Sequence, residues 1–407
     1  MHYTDKIFVG IVDADLLDNG TRHPNLVLMK IAGFLKDHSI AYKLIINEKD
    51  DIECITHIYL SKVFTFTKEP LFISSAHCHS ISKGGTGYYA NETNDELFEQ
   101  KREEDMHALE KDPFLVGFDL AKQMPDYNLY NEFIEKKISK ENSNIKKYKD
   151  YQQFSIGFLT RGCIRQCPFC VNKNITTVTN YSALTDFVDM SRPKIYLWDD
   201  NFLASPNWKT LLLELQATNK PFQFRQGLDI RLMTEEKASL LAKSRYHGDF
   251  LFAFDRIQDM DIIRRKLTIW KSATKKTTKL YLFCGYQVTD NESLYYNVLD
   301  LFKRIKVLME FGCLPYVMRH EDYKNAELRN IYVQIARWCN QPQFYKKLSF
   351  KEFVYRNQYY TKNGTCRTLI TFLDFINTFK DREKEFLPYF DMKFESINKY
   401  LSPIKKQ

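Results

Sequence analysis

The sequence has no apolar run approaching the length needed to span a bilayer, so no membrane-spanning helix is expected. Its first residues, Met1 to Val12, lack a charged stretch followed by a long apolar core and a small-residue cleavage site, which argues against a secretory leader. A disulfide framework is also missing: nine cysteines are an odd number in a chain of 407 residues, and three of them stand together. A reducing, cytoplasmic location is the expectation. Positive charge is not gathered into one long block. The formal net charge of +8 would favour an anionic partner such as nucleic acid, but the lysines are dispersed.

What is present is globular composition, 44% hydrophobic and 27% charged, with material for more than one buried core. The length suggests two domains with an appendage. The many aromatics, 31 Phe and 25 Tyr, are read as packing residues.

Lys6 to Val12 is a short continuous apolar run, as in a strand buried on both faces of a parallel sheet. Helical spacing follows over Asn25 to His38, then strands at Tyr42–Ile46 and Ile58–Leu60. Strand, helix, strand at this spacing predicts a small α/β sheet of the Rossmann kind over 1–135, with any ligand at the loops after its strands. One such loop, Gly84-Gly-Thr-Gly-Tyr88, has the freedom to turn sharply or to approach a ligand closely, but lacks full dinucleotide spacing. His77-Cys78-His79 is not read as a metal site, because neighbours on a strand face opposite ways. Residues 136–150, rich in Lys, Asn and Ser, read as a solvated linker and set the domain boundary.

From 151 to 340 strands and helices alternate. Strands are predicted at 154–160, 194–198, 222–225, 250–254, 279–283 and 314–318, with helices near 181–190, 208–217, 234–244, 260–273, 293–311 and 326–339. A parallel partial (β/α)6 barrel closes such a series, with its site at the C-terminal ends of the strands. Residues 341–407 form a helical C-terminal extension, expected from its position to cover the open side of the barrel.

The loop after the first barrel strand reads Arg161-Gly-Cys-Ile-Arg-Gln-Cys-Pro-Phe-Cys-Val171. Cys163, Cys167 and Cys170 can converge on one metal centre and leave a coordination position open, whereas a closed structural zinc site wants four protein ligands. This C-x3-C-x2-C spacing, with Phe169 before the last Cys, resembles the signature of the radical S-adenosylmethionine (radical SAM) enzymes. The resemblance implies a [4Fe-4S] cluster on the three Cys, SAM on its free iron, and a 5′-deoxyadenosyl radical after one-electron reduction by a donor such as flavodoxin or ferredoxin. It also implies roles for the polar strand ends. Asp199, Asp200 and Asn201 are placed to accept the SAM ammonium. Arg225 or Arg231 is placed to clamp its carboxylate, Asp255 to face ribose hydroxyls and Arg256 the carboxylate. Gly285 and Tyr286 sit in a turn that would wall the adenine.

The front region resembles the cobalamin-binding domain that precedes the barrel in one large group of these enzymes. With cobalamin bound, methylation of a carbon is the expected outcome. Without it the same domain binds substrate, a small molecule or a nucleic acid, and the expected reaction is an isomerisation, an oxidation or a modification of a nucleotide or nucleic acid. The reading from another class is a nucleic-acid-binding protein whose Cys hold a structural metal. Cys284, Cys313, Cys339 and Cys366 lack close pairing and are read as buried thiols.

Overall fold

The computed structural model describes residues 8–20, 23–47, 55–73, 80–141, 148–356 and 366–400. Cys54, His77-Cys78-His79 and most of the Tyr359–Arg367 loop lie outside them, as does the middle of the 136–150 stretch. The chain separates into two compact units, 1–199 with 218–222, and 200–217 with 223–407.

In the first unit the leading elements are β1 (Phe8–Asp13), α1 (Ala14–Asn19), α2 (Leu26–Asp37), β2 (Ala41–Leu44), β3 (His57–Ser61) and β4 (Ser80–Gly84). The four strands are parallel in the order β2-β1-β3-β4, so the chain reverses its direction of progress between β1 and β3. Strand β4 was not foreseen; it is a short edge strand, exposed or half-buried throughout, with no apolar run to announce it. Asn25 starts α2 by accepting the Leu28 N–H at 3.2 Å. That helix lays Leu28, Met29, Ile31, Ala32 and Leu35 against Val9 and Ile11 of β1, each large side chain contributing roughly 1.5–3 kcal/mol.

The unit continues with α3 (Asp95–Ala108), α4 (Asn131–Glu141), α5 (Lys149–Gln153), β5 (Phe154–Gly157), β6 (Thr160–Arg161), β7 (Thr179–Asn180) and β8 (Lys194–Leu197). β5 pairs with β8 in parallel. The helix expected over 181–190 is not formed: only a 3-10 turn at Leu184–Asp186 stands there. Its backbone groups go to tertiary partners. Phe187 O accepts the Tyr127 hydroxyl at 2.6 Å, Asp189 N donates to Ser155 Oγ at 3.0 Å, and the Ser182 hydroxyl donates to Ala121 O at 2.6 Å. These bonds also join 121–127 to the segments beside β5 within one compact unit.

The second unit holds α6 (Trp208–Ala217), α7 (Glu235–Lys243), β10 (Phe250–Ala253), α8 (Met260–Ala273), β11 (Thr278–Cys284), α9 (Asn291–Glu310), β12 (Leu314–Arg319) and α10 (Asn330–Cys339); β9 (Phe222–Phe224) spans the division. β10, β11 and β12 form a parallel sheet with α8 and α9 as the crossovers, and Leu228 bridges to Phe252. The alternating burial of β11 follows its alternating sequence. Asp290 and Ser293 make a capping box that starts the 20-residue α9.

The extension forms α11 (Pro342–Tyr345), α12 (Phe350–Tyr355), α13 (Arg367–Thr378), α14 (Glu383–Phe390) and α15 (Phe394–Ile397). Its described helices lie along α9 and α10. Phe302 of α9 contacts Phe350, Phe390 and Trp338 with ring centroids 5.5, 4.8 and 6.1 Å away, and all four are fully buried. The amphipathic helices of the extension need an apolar partner, and α9 offers one away from the sheet.

Candidate functional site

The cysteine loop is closed at its neck. Tyr181 N donates to Leu159 O at 2.8 Å, and Thr160 and Arg161 pair antiparallel with Asn180 and Thr179. Gly162 sits at φ +98°, and a Cβ there would lie 2.2 Å from Thr177 O, so only glycine allows the two arms to approach. The Arg161 guanidinium lies 4.2 Å over the Phe158 ring. Within the loop Cys163 Sγ accepts the Arg165 N–H at 3.3 Å and Cys170 Sγ accepts the Asn172 N–H at 3.4 Å. Hydrogen bonds of this kind tune a sulfur-ligated cluster. All three Cys are half-buried. Among the described residues no three His, Cys, Asp or Glu side chains are gathered as a metal-holding group, so the loop would have to draw its sulfurs together to ligate.

Asp199 supports this neck from below. It is 1% exposed and accepts Thr160 N–H and Thr160 Oγ1–H, both at 2.7 Å, and Leu159 N–H at 3.3 Å. Burial, opposed by these donors, pushes its carboxyl up to about 7. Its oxygens serve the β5–β6 connection.

In the second unit the strand ends form two groups. Asn201 is buried with Nδ2 3.5 Å from Asp229 Oδ2, and Asp229 takes Arg231 Nε at 2.7 Å. Arg231 also donates to Asp259 at 2.7 Å, and the more exposed Arg256 approaches Asp259 at 3.4 Å. Burial works to lower the Arg231 pKa, but the Asp229 and Asp259 carboxylates outweigh it and hold the guanidinium charged. Asp200 and Arg225 are half-buried; the Arg225 carbonyl accepts the Tyr281 hydroxyl at 3.2 Å.

The second group surrounds Arg304 of α9, which is 2% exposed. Its Nη1 donates to the carbonyls of Phe254, Asp255 and Phe283, at 3.0, 3.2 and 3.0 Å, and so gathers the ends of β10 and β11. Burial raises the Asp255 carboxyl above its usual range, with Arg304 opposing; its Oδ1 accepts Phe283 N–H at 3.3 Å. Gly285, at φ +78°, donates its N–H to Asn297 Oδ1 at 2.9 Å, and a Cβ there would meet Tyr323 Cβ at 2.7 Å. The Tyr286 ring stands edge-on to His320 with centroids 5.0 Å apart. His320 Nδ1 lies 3.1 Å from Asp322 Oδ2, which accepts the Gln287 N–H.

Sequence reasoning missed Asp229, Asp259, Arg304, His320 and Asp322. Asp229-x-Arg231 was a usable local signal. Arg304 was not, since it stands between Lys303 and Lys306 in α9 and only the fold turns it inward. The Gly84–Tyr88 glycines are explained by their own chain: a Cβ on Gly85 or Gly87 would press on the backbone of Lys62 or Phe64, and Gly85 N–H donates to Asp105 at 2.7 Å.

At the ends of β1 and β3 the gap is taken by the chain's own groups. Asp15, 3% exposed, accepts Val63 N–H at 2.6 Å, Phe64 N–H at 3.2 Å and the Thr67 hydroxyl at 2.5 Å, while Asn25 donates to Ser61 at 2.8 Å.

No family model matches the chain, and no curated protein matches it. Two solved structures are similar to it in outline, both of the radical S-adenosylmethionine methyltransferase TsrM from Kitasatospora setae. One, with tryptophan substrate and a SAM analogue bound, is 14% identical and covers 76% of this chain and 72% of that chain at TM-score 0.48. The other, with cobalamin and a [4Fe-4S] cluster bound, is 12% identical over 77% and 72% at TM-score 0.48. Among the described residues no helix is long and apolar enough to cross a membrane.

Proposed function

We propose that this chain is a radical SAM enzyme. The observation that carries the reading is the C-x3-C-x2-C loop at the C-terminal end of a parallel strand, closed at its neck and offering two sulfurs that already accept backbone N–H groups. Its donor set fits a [4Fe-4S] cluster: three Cys on one loop, with no fourth Cys or His close in sequence. When bound, cluster and SAM together supply reductive cleavage of SAM and hydrogen abstraction from substrate.

The chain's own residues bind and orient. Cys163, Cys167 and Cys170 hold the cluster. Asp199 and Gly162 hold the loop's neck. Asp200, Arg225 and Tyr286, each half-buried at strand ends, are the side chains assigned to SAM. Arg231, Asp255 and Arg304 fix the strand ends that present them.

Among the described residues, cobalamin has no place in the first unit's sheet. The gap between the ends of β1 and β3, where a cofactor of a sheet of this order would enter, is spanned by Asp15 and by Asn25 with Ser61. These residues do not fit a corrin at that place.

The test is anaerobic reconstitution with iron and sulfide, then SAM and dithionite, with chromatography for 5′-deoxyadenosine. The nucleoside should appear with wild type and be lost in Cys167→Ala. A colourless, zinc-loaded protein that neither binds nor cleaves SAM would overturn the proposal and favour a metal-stabilised binding protein.

A further inference from the structure

Helix α3 is charged along its length, and only Phe98 in it is buried. Such a helix reads as a solvated face, yet its first turns touch the cysteine loop. Asp95 Oδ1 lies 2.5 Å from Lys173 Nζ, which also stands 4.6 Å over the Phe98 ring. Glu99 Oε1 accepts the Asn174 side-chain N–H. Lys173 and Asn174 lie just past the last cysteine: Lys173 N donates to Cys170 O at 3.1 Å, and Asn172 N to Cys170 Sγ at 3.4 Å. Near the other end of α3, Asp105 accepts the N–H of Gly85 at 2.7 Å.

The geometry points to α3 as the positioning element of the cysteine loop, with Asp95 and Glu99 holding the arm that carries Cys170. The β6–β7 ladder fixes only the neck. Past the neck this pair of contacts ties the Cys170 arm to α3, and ordering a loop arm before ligation spares the conformational entropy that ligand binding must otherwise overcome. The same helix links that arm to the Gly84–Tyr88 loop, about 15 Å away along ten residues of helix. As far as the cluster is concerned, the inference rests on the proposed function.

The experiment uses the full chain carrying Asp95→Asn with Glu99→Gln, and Glu103→Gln as an exposed control on the same helix. Two readouts are taken. In the metal-free chain, hydrogen exchange at the amides of 170–175 should accelerate about fivefold in the double variant, the factor expected for roughly 1 kcal/mol of exposed polar contacts. After reconstitution, iron release to a ferrous chelator should accelerate by a similar factor, about fivefold, with the urea midpoint and the control unchanged. The charge-reversed pair Asp95→Lys with Lys173→Asp should restore both rates relative to Asp95→Lys alone. Wild-type exchange and wild-type iron release in the double variant would overturn the assignment. Faster exchange, with wild type holding no more iron than Cys167→Ala, would support positioning by α3 and sink the radical SAM reading.

Discussion

Asp199→Asn tests the central support of the candidate site. The carboxyl is 1% exposed, and burial raises it from 3.8 to about 7. The folded chain therefore holds this proton more tightly than the unfolded chain. Stability attached to the group is fully present below about pH 4 and is lost as the pH rises to about 7. A shift of about three units at 1.36 kcal/mol each corresponds to about 4 kcal/mol over that window. An asparagine does not titrate. It brings a constant cost, because its amide N–H faces the donors of Leu159 and Thr160, but it removes the slope. Urea unfolding followed by tryptophan fluorescence at half-unit steps from pH 4 to 7 gives the two stability curves. Their difference should move in favour of the variant by about 4 kcal/mol across the range. Asp13, also raised to about 7 by burial, remains in both proteins and cancels from the difference. Parallel curves would refute the claim that Asp199 is buried against these donors.

Gly162→Ala puts a Cβ 2.2 Å from Thr177 O at φ +98°, a strain of about 1–3 kcal/mol before the collision is counted, and should open the neck of the loop. Thermal unfolding should drop and iron uptake should slow; wild-type values for both would show that the arms are not held this closely. Ending the chain after Asn340 would strip the cover from Phe302 and Trp338, both fully buried, at roughly 1.5–3 kcal/mol each. The shortened protein should bind a hydrophobic dye and precipitate, and a soluble, cooperatively folding product would refute the packing of the extension on α9.

Much of this architecture was legible in the residues. Short apolar runs at Val9–Val12 and Ile195–Leu197 fit strands covered on both faces, and the helix predicted at 260–273 was found there, because its Ile263, Leu267 and Trp270 recur at helical spacing. The failures are as instructive. Tyr181 to Met190 had the composition of a helix but spends its backbone on Tyr127 and Ser155, groups remote in sequence. The extension was expected to cover the open side of the predicted barrel because it follows the predicted strands, whereas the aromatic face of its described helices packs on the apolar side of α9.

By itself the sequence determined that three thiols stand on one short loop, a local fact that needs no tertiary contact. It also determined the alternation of parallel strands and helices, because burial period is written residue by residue. Only the tertiary structure decided which partners the polar side chains at the strand ends take. Asp199, Arg231 and Asp255 all stood at strand ends as equals of Asp200 and Arg225, and partners remote in the chain turned them into supports. A carboxylate or guanidinium taken from water must be paired, and what pairs it is settled by how distant segments fold together.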